Sequence, residues 1–445
     1  MLYRRTWPRV RDALVELRAL ETRSAEDVAA LSADLLRRTV RRAAAGSPFL
    51  RELYAAHDVD VRDLGDPAQL SRLPVMTKDL LREHVERIVV EDADPDDLVR
   101  GATGGSTGVP SPYVHDTTWW CAATAAAWRG DEWTGWHLGE RHTSVWGTPL
   151  EESTASALYR TATERARNFL FLPGFDLSPA VLSRRLDQLY RFRPVLVTGY
   201  ASLLRAVADG IRAQGREPLR PLALVSSAEP LPDDTRHVIE EAFGAPVFNR
   251  YGCRELGIVA QECARHAGLH VFSTHVHVEI DAGGRPARPG ESGRVLCTLL
   301  DNPSFPMIRY EVGDLAAPAA GPCACGLPYP LLERVDGRML DVLWTSSGGA
   351  LTGVFFPHLM KEFPWVGSFQ VVQDETGAVE LRVVPFGGAP GDDAQAALVE
   401  QARAALGELP VTVRLVEQLE RTPAGKVRVT QSRYRAPGVR GGGDA

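Results

Sequence analysis

Three short runs of strand-forming residues, PVLVT (194–198), LALVS (222–226) and PVFN (246–249), alternate with stretches of helical spacing at 202–211 and 233–243. Strand, helix and strand at this spacing predict an α/β unit with parallel strands. The same pattern says where chemistry belongs. The segments 199–200, 226–230 and 250–255 follow the carboxyl ends of the strands, where sheets of this kind bind ligands. From about 271 to 315 the pattern becomes alternating and rich in turns, which predicts antiparallel sheet.

The rest of the chain adds flanking elements. Ser24 ahead of Ala25-Glu26-Asp27 is a capping signal, and Val28, Leu31, Leu35 and Val40 recur at helical spacing until Gly46, so a helix is expected over 24–45. A shorter helix is expected from Lys78 to about Glu86, after the Leu73-Pro74 break. Residues 100–115 lack an apolar period and are expected as loop, and 117–129 as a buried, Ala-rich helix. The last hundred residues show strands at 368–373, 378–384 and 411–416, a helix at about 392–407 and a loop at 421–426. The expected organisation is a large N-terminal domain, 1–337, with α/β subdomains and a β-rich portion. A hinge at 338–341, a small α+β domain at 342–437 and a disordered tail at 438–445 follow. Glycines at 337, 348, 349 and 353 mark the boundary.

Composition excludes several classes. Hydrophobic residues at 44% supply a sizeable core, so the chain is not a disordered one. A net charge of −7 argues against a dedicated nucleic-acid binder. No apolar run is long enough for a transmembrane helix, and the N-terminus lacks the apolar core of a signal peptide. Six cysteines are too few for a disulfide scaffold, so a reducing cytoplasm is the expected compartment.

Five turn-like motifs carry the candidate chemistry. Thr103-Gly104-Gly105-Ser106-Thr107-Gly108 offers close backbone approach, free amides and hydroxyls, which suits phosphate oxygens. It is not a Walker A loop, because Val109-Pro110 follows where Gly-Lys-Ser/Thr would stand. Tyr251-Gly252-Cys253-Arg254-Glu255 places a ring, a tight turn and a carboxylate at a strand end. Tyr310-Glu311-Val312-Gly313-Asp314 puts an acid after a Gly turn, suited to ribose hydroxyls. Gly337-Arg338 lies at the boundary, and Arg421-Thr422-Pro423-Ala424-Gly425-Lys426 presents one lysine. Singly, each is more often a turn than a site.

In order and spacing they are far more specific. TGGSTGVP (103–110), YGCRE (251–255), RYEVGDL (309–315), GRMLD (337–341) and RTPAGKVR (421–428) together resemble the adenylate-forming (acyl-CoA synthetase) superfamily. LPVMTKDLLR (73–82) and VTGYASLL (197–204) resemble its phenylacetate–CoA ligase-like branch in particular. The resemblance covers about residues 1–430. It implies ATP-dependent activation of a carboxylic acid, an aryl or arylacetic one, to an acyl-adenylate with release of pyrophosphate. Transfer to coenzyme A then gives a thioester and AMP. By family position, Thr103, Gly104, Gly105, Ser106, Thr107 and Gly108 would cradle phosphates, and Glu255 would help hold Mg²⁺. Tyr251, Gly252, Ala228 and Glu229 would line the adenine, Asp314 would take the ribose, and Arg338 would lie at the nucleotide. Lys426 would balance charge between carboxylate and α-phosphate. It would be carried by a mobile C-terminal domain hinged at Leu340 and Asp341. Trp146, Tyr200 and Ser227 fall where family members line the acyl pocket.

Two departures stand out. Arg254 replaces the usual Thr, to bind phosphate or to form a structural ion pair, and Leu340 replaces the first hinge Asp. They keep open an amine, another nitrogen nucleophile or a carrier-protein thiol as acceptor. A catalytically silent nucleotide-binding protein is the reading from another class. Retention of Glu255, Asp314 and Lys426 speaks against it. No nucleic acid or membrane partner is expected, and a homodimer is compatible with the reading. Cys323 and Cys325 are too close for an easy mutual bridge. With Cys263 and His270 they make a closed three-thiolate, one-imidazole set suited to structural Zn²⁺, and some members of the branch are similar at these positions; Cys253 and His266 are the alternates.

Overall fold

The computed structural model describes residues 2–61, 67–102, 111–146, 168–173, 179–229, 231, 233–336, 343–347, 350–351, 355–420 and 430–434. They fall into two units. One is drawn from Met1–Thr103, Ser111–Leu138 and Phe248–Gly337; the described residues of the other come from Gly139–Val247 and Arg338–Ala445.

The first unit is built on antiparallel strands in the order Val276–Asp281, Gly293–Leu299, Tyr310–Pro318, Leu331–Asp336, Leu269–Val271, Gly257–Glu262 and Val247–Cys253. Alternation places Val295, Cys297 and Leu299 in a buried core with Phe305, Met307 and Tyr310. Helices cover this sheet. Helix Ala25–Gly46 begins where the Ser24 hydroxyl accepts from the Asp27 amide, and it buries Val28, Leu36 and Val40. Val28 and Val40 face inward as expected, while Leu31 and Leu35 are only partly buried and Leu36 takes the inward place of Leu35. Helix Thr117–Trp133 is longer than expected, and the Asp116 carboxylate caps it by accepting from the Trp119 amide. An arginine-rich helix, Leu2–Leu20, packs along it. Their contact is ionic as well as apolar. Arg18 and Arg129 both bind Glu132, and Arg129 also binds Glu21.

Residues 100–115 depart from the expected loop. Val99–Ala102 and Pro112–His115 form an antiparallel pair, Arg100 opposite Val114. The period that marks a strand is hard to see in segments of four residues each, interrupted by glycines.

The second unit contains two of the three strands predicted from the alternation, Leu196–Tyr200 and Ala223–Ser227, beside two that the sequence did not announce. Phe169–Pro173, His142–Trp146, Leu196–Tyr200 and Ala223–Ser227 lie side by side in that order. Helices Pro179–Phe192, Ala201–Ala213 and Asp233–Phe243 supply Leu186, Leu203, Leu204, Ile239 and Phe243 to their core. Its C-terminal portion is a mixed sheet, Val411–Leu415, Val379–Pro385, Val366–Gln373 and Thr430–Ser432, with helix Asp392–Leu406. Phe356, Phe369, Leu381 and Leu398 form that core. No helix among the described residues is long and apolar enough to cross a membrane.

Candidate functional site

Strand Val247–Cys253 runs further than the sequence suggests. Tyr251 and Gly252 belong to it, and the register shifts by a bulge between them. The turn that follows carries Arg254 and Glu255, and strand Gly257–Glu262 returns antiparallel. Gly252 is required by proximity. A β-carbon there would stand 2.4 Å from the Gly257 carbonyl oxygen, a backbone atom that cannot swing aside.

Glu255 is buried, only 5% exposed. The Tyr310 hydroxyl donates to its Oε1 at 3.2 Å. Its backbone carbonyl accepts from His115 Nε2 at 3.0 Å, and the next carbonyl, of Leu256, accepts from His275 Nε2 at 2.9 Å. Burial pushes His115 down to about 4, so the ring is neutral near pH 7 and its Nε2 carries the donated hydrogen. His275 pairs through Nδ1 with Asp301. Beside this turn, the Tyr251 hydroxyl donates to Asp314 Oδ2 at 3.0 Å. Burial and the Asp314 charge push the Tyr251 phenol well above its ordinary value, so it stays a donor. In place of the expected turn, Gly313, at φ +91°, and Asp314 lie inside strand Tyr310–Pro318, at a bulge where its register with strand Gly293–Leu299 shifts.

The 73–82 segment singled out from sequence locks onto this same motif. The Met76 amide donates to the Arg309 carbonyl at 3.1 Å, and the Glu311 amide to the Met76 carbonyl at 3.0 Å. Arg309, at φ +48°, sends its guanidinium to the Ser71 and Leu73 carbonyls and to Glu279. Tyr310 is thereby fixed from both sides of the chain.

Within the second unit, Trp146, Tyr200 and Ser227 end three neighbouring parallel strands. The Trp146 and Tyr200 rings lie 4.3 Å apart, and Ser227 is the register partner of Tyr200. Ala228 follows with φ +67°. The Glu229 carboxylate accepts from the Ser202 amide at 2.8 Å and its hydroxyl at 3.0 Å, capping helix Ala201–Ala213. Thr103, Gly104, Gly105, Ser106, Thr107, Gly108, Arg338, Leu340, Asp341 and Lys426 lie outside the described residues. So do the expected 421–426 loop and the 438–445 tail.

The four residues proposed for zinc do converge. One ligand atom from each of Cys263, His270, Cys323 and Cys325 lies within 4.8 Å of the others. The Cys263 and Cys323 sulfurs are 3.8 Å apart, and Cys325 Sγ is 3.3 Å from His270 Nε2. The alternates are engaged elsewhere: His266 pairs with Glu262, and Cys253 lies beside Glu255. Burial pushes the Cys263 thiol up to about 12. Around Cys323, backbone and thiol hydrogen bonds outweigh desolvation and hold the thiol below its usual value. All six cysteines are free.

Sequence reasoning overlooked Tyr310, His115, His275 and Asp301. Tyr310 opens a motif already in view and was findable. The other three carry no local signal, because the fold alone brings them to Glu255.

Two family models match the chain. The model for AMP-binding enzymes covers residues 26–298, and that of the CapK C-terminal domain covers residues 343–433. A phenylacetate–coenzyme A ligase of Thermus thermophilus is 25% identical over 73% of each chain. Protein CapK of Staphylococcus aureus is 23% identical over 69% of this chain and 67% of its own. Among solved structures, 2-hydroxyisobutyryl-CoA ligase in complex with 2-HIB-AMP and CoA superposes with a TM-score of 0.65. It is 22% identical, covering 94% of this chain and 92% of that one.

Proposed function

This chain belongs to the AMP-binding enzyme family, in its phenylacetate–CoA ligase-like branch, and from that premise we propose that it converts a carboxylic acid, ATP and coenzyme A into an acyl-CoA, AMP and pyrophosphate. The observation that carries the reading is the joined pair of motifs on two strands. Tyr251 is bonded to Asp314, and the buried carboxylate of Glu255 stands four residues on in the same segment.

In the first half-reaction a carboxylate oxygen attacks the α-phosphorus of ATP. The new O–P bond forms as the bond to the β-phosphate oxygen breaks, and pyrophosphate leaves. Such steps depend on positioning and charge stabilisation. Asp314 takes the ribose hydroxyls, with its orientation fixed by Tyr251 and the bulge at Gly313. Tyr251 bounds the adenine. The phosphates fall to Thr103–Gly108 and Lys426, with Arg254 and Arg338 as further cations. Glu255 suits Mg²⁺: it is a hard oxygen donor whose charge, taken out of water, calls for a cation. When bound, Mg²⁺ neutralises phosphate charge. In the second half-reaction the CoA thiolate attacks the acyl carbon and AMP departs. Leu340 and Asp341 serve as the pivot between the two.

The acid is aryl or arylacetic, a choice supported by the Trp146–Tyr200 ring pair at the strand ends. The Cys263, His270, Cys323 and Cys325 set holds structural Zn²⁺, supported by ligand atoms that already lie within reach of one ion.

The test is acid-dependent exchange of labelled pyrophosphate into ATP across a panel of aromatic, arylacetic and short aliphatic acids. Exchange with an aryl acid, followed by thioester formation on adding CoA, is the expected result. No exchange with any acid would overturn adenylation, and product with amines but not CoA would overturn the acceptor.

A further inference from the structure

Glu255 is held more tightly than a surface carboxylate needs to be. Its carbonyl is held by His115, the following carbonyl by His275, and the carboxylate itself by Tyr310. These groups come from different elements: the strand Pro112–His115, the segment leading into strand Val276–Asp281, and the start of strand Tyr310–Pro318. Tyr310 is fully buried, and its backbone neighbours bond Met76. Its hydroxyl also meets the hydroxyl of Ser111, itself buried at the edge of the Gly/Ser/Thr motif. A hydrogen-bonded line therefore runs from Ser111 through Tyr310 to Glu255 Oε1.

Packing alone does not require that hydroxyl. A phenylalanine would fill the same space, and the oxygen sits in a site where an unneeded polar group is costly. Burial and the Glu255 charge push the phenol up, so it remains protonated and can only donate toward the carboxylate. The donors on the carboxylate, the Tyr310 hydroxyl and the neighbouring Cys253 thiol, are both neutral, so they fix its direction and leave its charge in place for a cation.

We propose that Tyr310 is a positioning residue: its hydroxyl, braced by Ser111, fixes the Glu255 carboxylate in the orientation in which it receives the nucleotide's divalent cation. This rests on reading Glu255 as the cation ligand. Asp314 serves the ribose in the same motif; Tyr310 would serve the metal, so one strand start would orient both ends of the nucleotide.

The experiment measures affinity of the full chain for the complex of Mn²⁺ with α,β-methylene-ATP by electron paramagnetic resonance, alongside thermal unfolding. Tyr310→Phe is expected to weaken binding about tenfold or more, as for a lost hydrogen bond to a charged group, with the unfolding temperature little changed. Ser111→Ala should weaken it in the same direction by less. In a Glu255→Gln background, adding Tyr310→Phe should change affinity by less than about twofold, since the oriented charge is already gone. If Glu255→Gln weakens binding while Tyr310→Phe and Ser111→Ala leave it intact, the positioning role is overturned. If Glu255→Gln itself has no effect, the reading of Glu255 falls and the role of Tyr310 with it.

Discussion

Removing the metal from the Cys263, His270, Cys323 and Cys325 cluster should cost the first unit a definite amount of stability. Cys263 and Cys323 are 60 residues apart in sequence, and a metal clip between them closes that loop in the unfolded chain. The chain-entropy relation for a cross-link of this length gives about 4 kcal/mol. For a unit of this size that corresponds to a melting-temperature change of roughly 8–16 °C. The perturbation is a high-affinity chelator on wild-type protein, with Cys323→Ser as the genetic counterpart. The assays are metal content by mass spectrometry and thermal unfolding. Trp133 gives a local readout, because its ring meets His270 edge-on at 5.8 Å and stacks on Phe272. Loss of one zinc per chain should accompany the lowered melting temperature and a change in Trp emission, both reversed by adding zinc. Wild-type protein without stoichiometric zinc, or a chelated protein that melts unchanged, would refute the reasoning.

Three further outcomes follow from the same structure. Glu132→Gln should cost roughly 3 kcal/mol at pH 7, because it leaves Arg18 and Arg129 facing a neutral amide, and the Glu132 side chain is only 3% exposed. Burial works to raise the Glu132 carboxyl, but its two arginines outweigh burial and lower it. Its contribution is present above the unfolded value of 4.5 and is lost as pH falls through the folded one, so wild type and variant should converge in acid denaturation curves below about pH 4.5. Gly252→Ala must move backbone, given the 2.4 Å approach to the Gly257 carbonyl, and should lose about 1–3 kcal/mol of stability and most pyrophosphate exchange. Lys426→Ala should reduce pyrophosphate exchange on the order of a hundredfold while turnover of a supplied acyl-adenylate with CoA is largely retained; equal loss in both would contradict the mobile-domain account.

Much of the fold was legible because its signals are local. Helix Asp233–Phe243 has the bounds its spacing predicts, and the parallel strands sit within two residues of the runs that announced them. Strand Val247–Cys253 was read short because Tyr251 and Gly252 look like a turn, whereas pairing with Ala260 and Ile258 keeps them in the ladder. The arginine-rich helix Leu2–Leu20 was missed because Glu132, the partner of its Arg18, is brought to it by packing. In the site, Glu255, Tyr251 and Asp314 were visible as motif residues. What holds them was not visible, since His115 stands 140 residues from the carbonyl it binds, and His275 depends on Asp301 across two strands and the turn between them.

The central claim, that the acid's own oxygen displaces pyrophosphate from the α-phosphate, has one direct measurement. Turnover of a carboxylic acid labelled with ¹⁸O in both carboxylate oxygens, with ATP and CoA, is followed by mass spectrometry of the products. The account predicts AMP carrying one labelled oxygen per turnover and unlabelled pyrophosphate. Unlabelled AMP, or label in a phosphate released from the β- or γ-position, would contradict it.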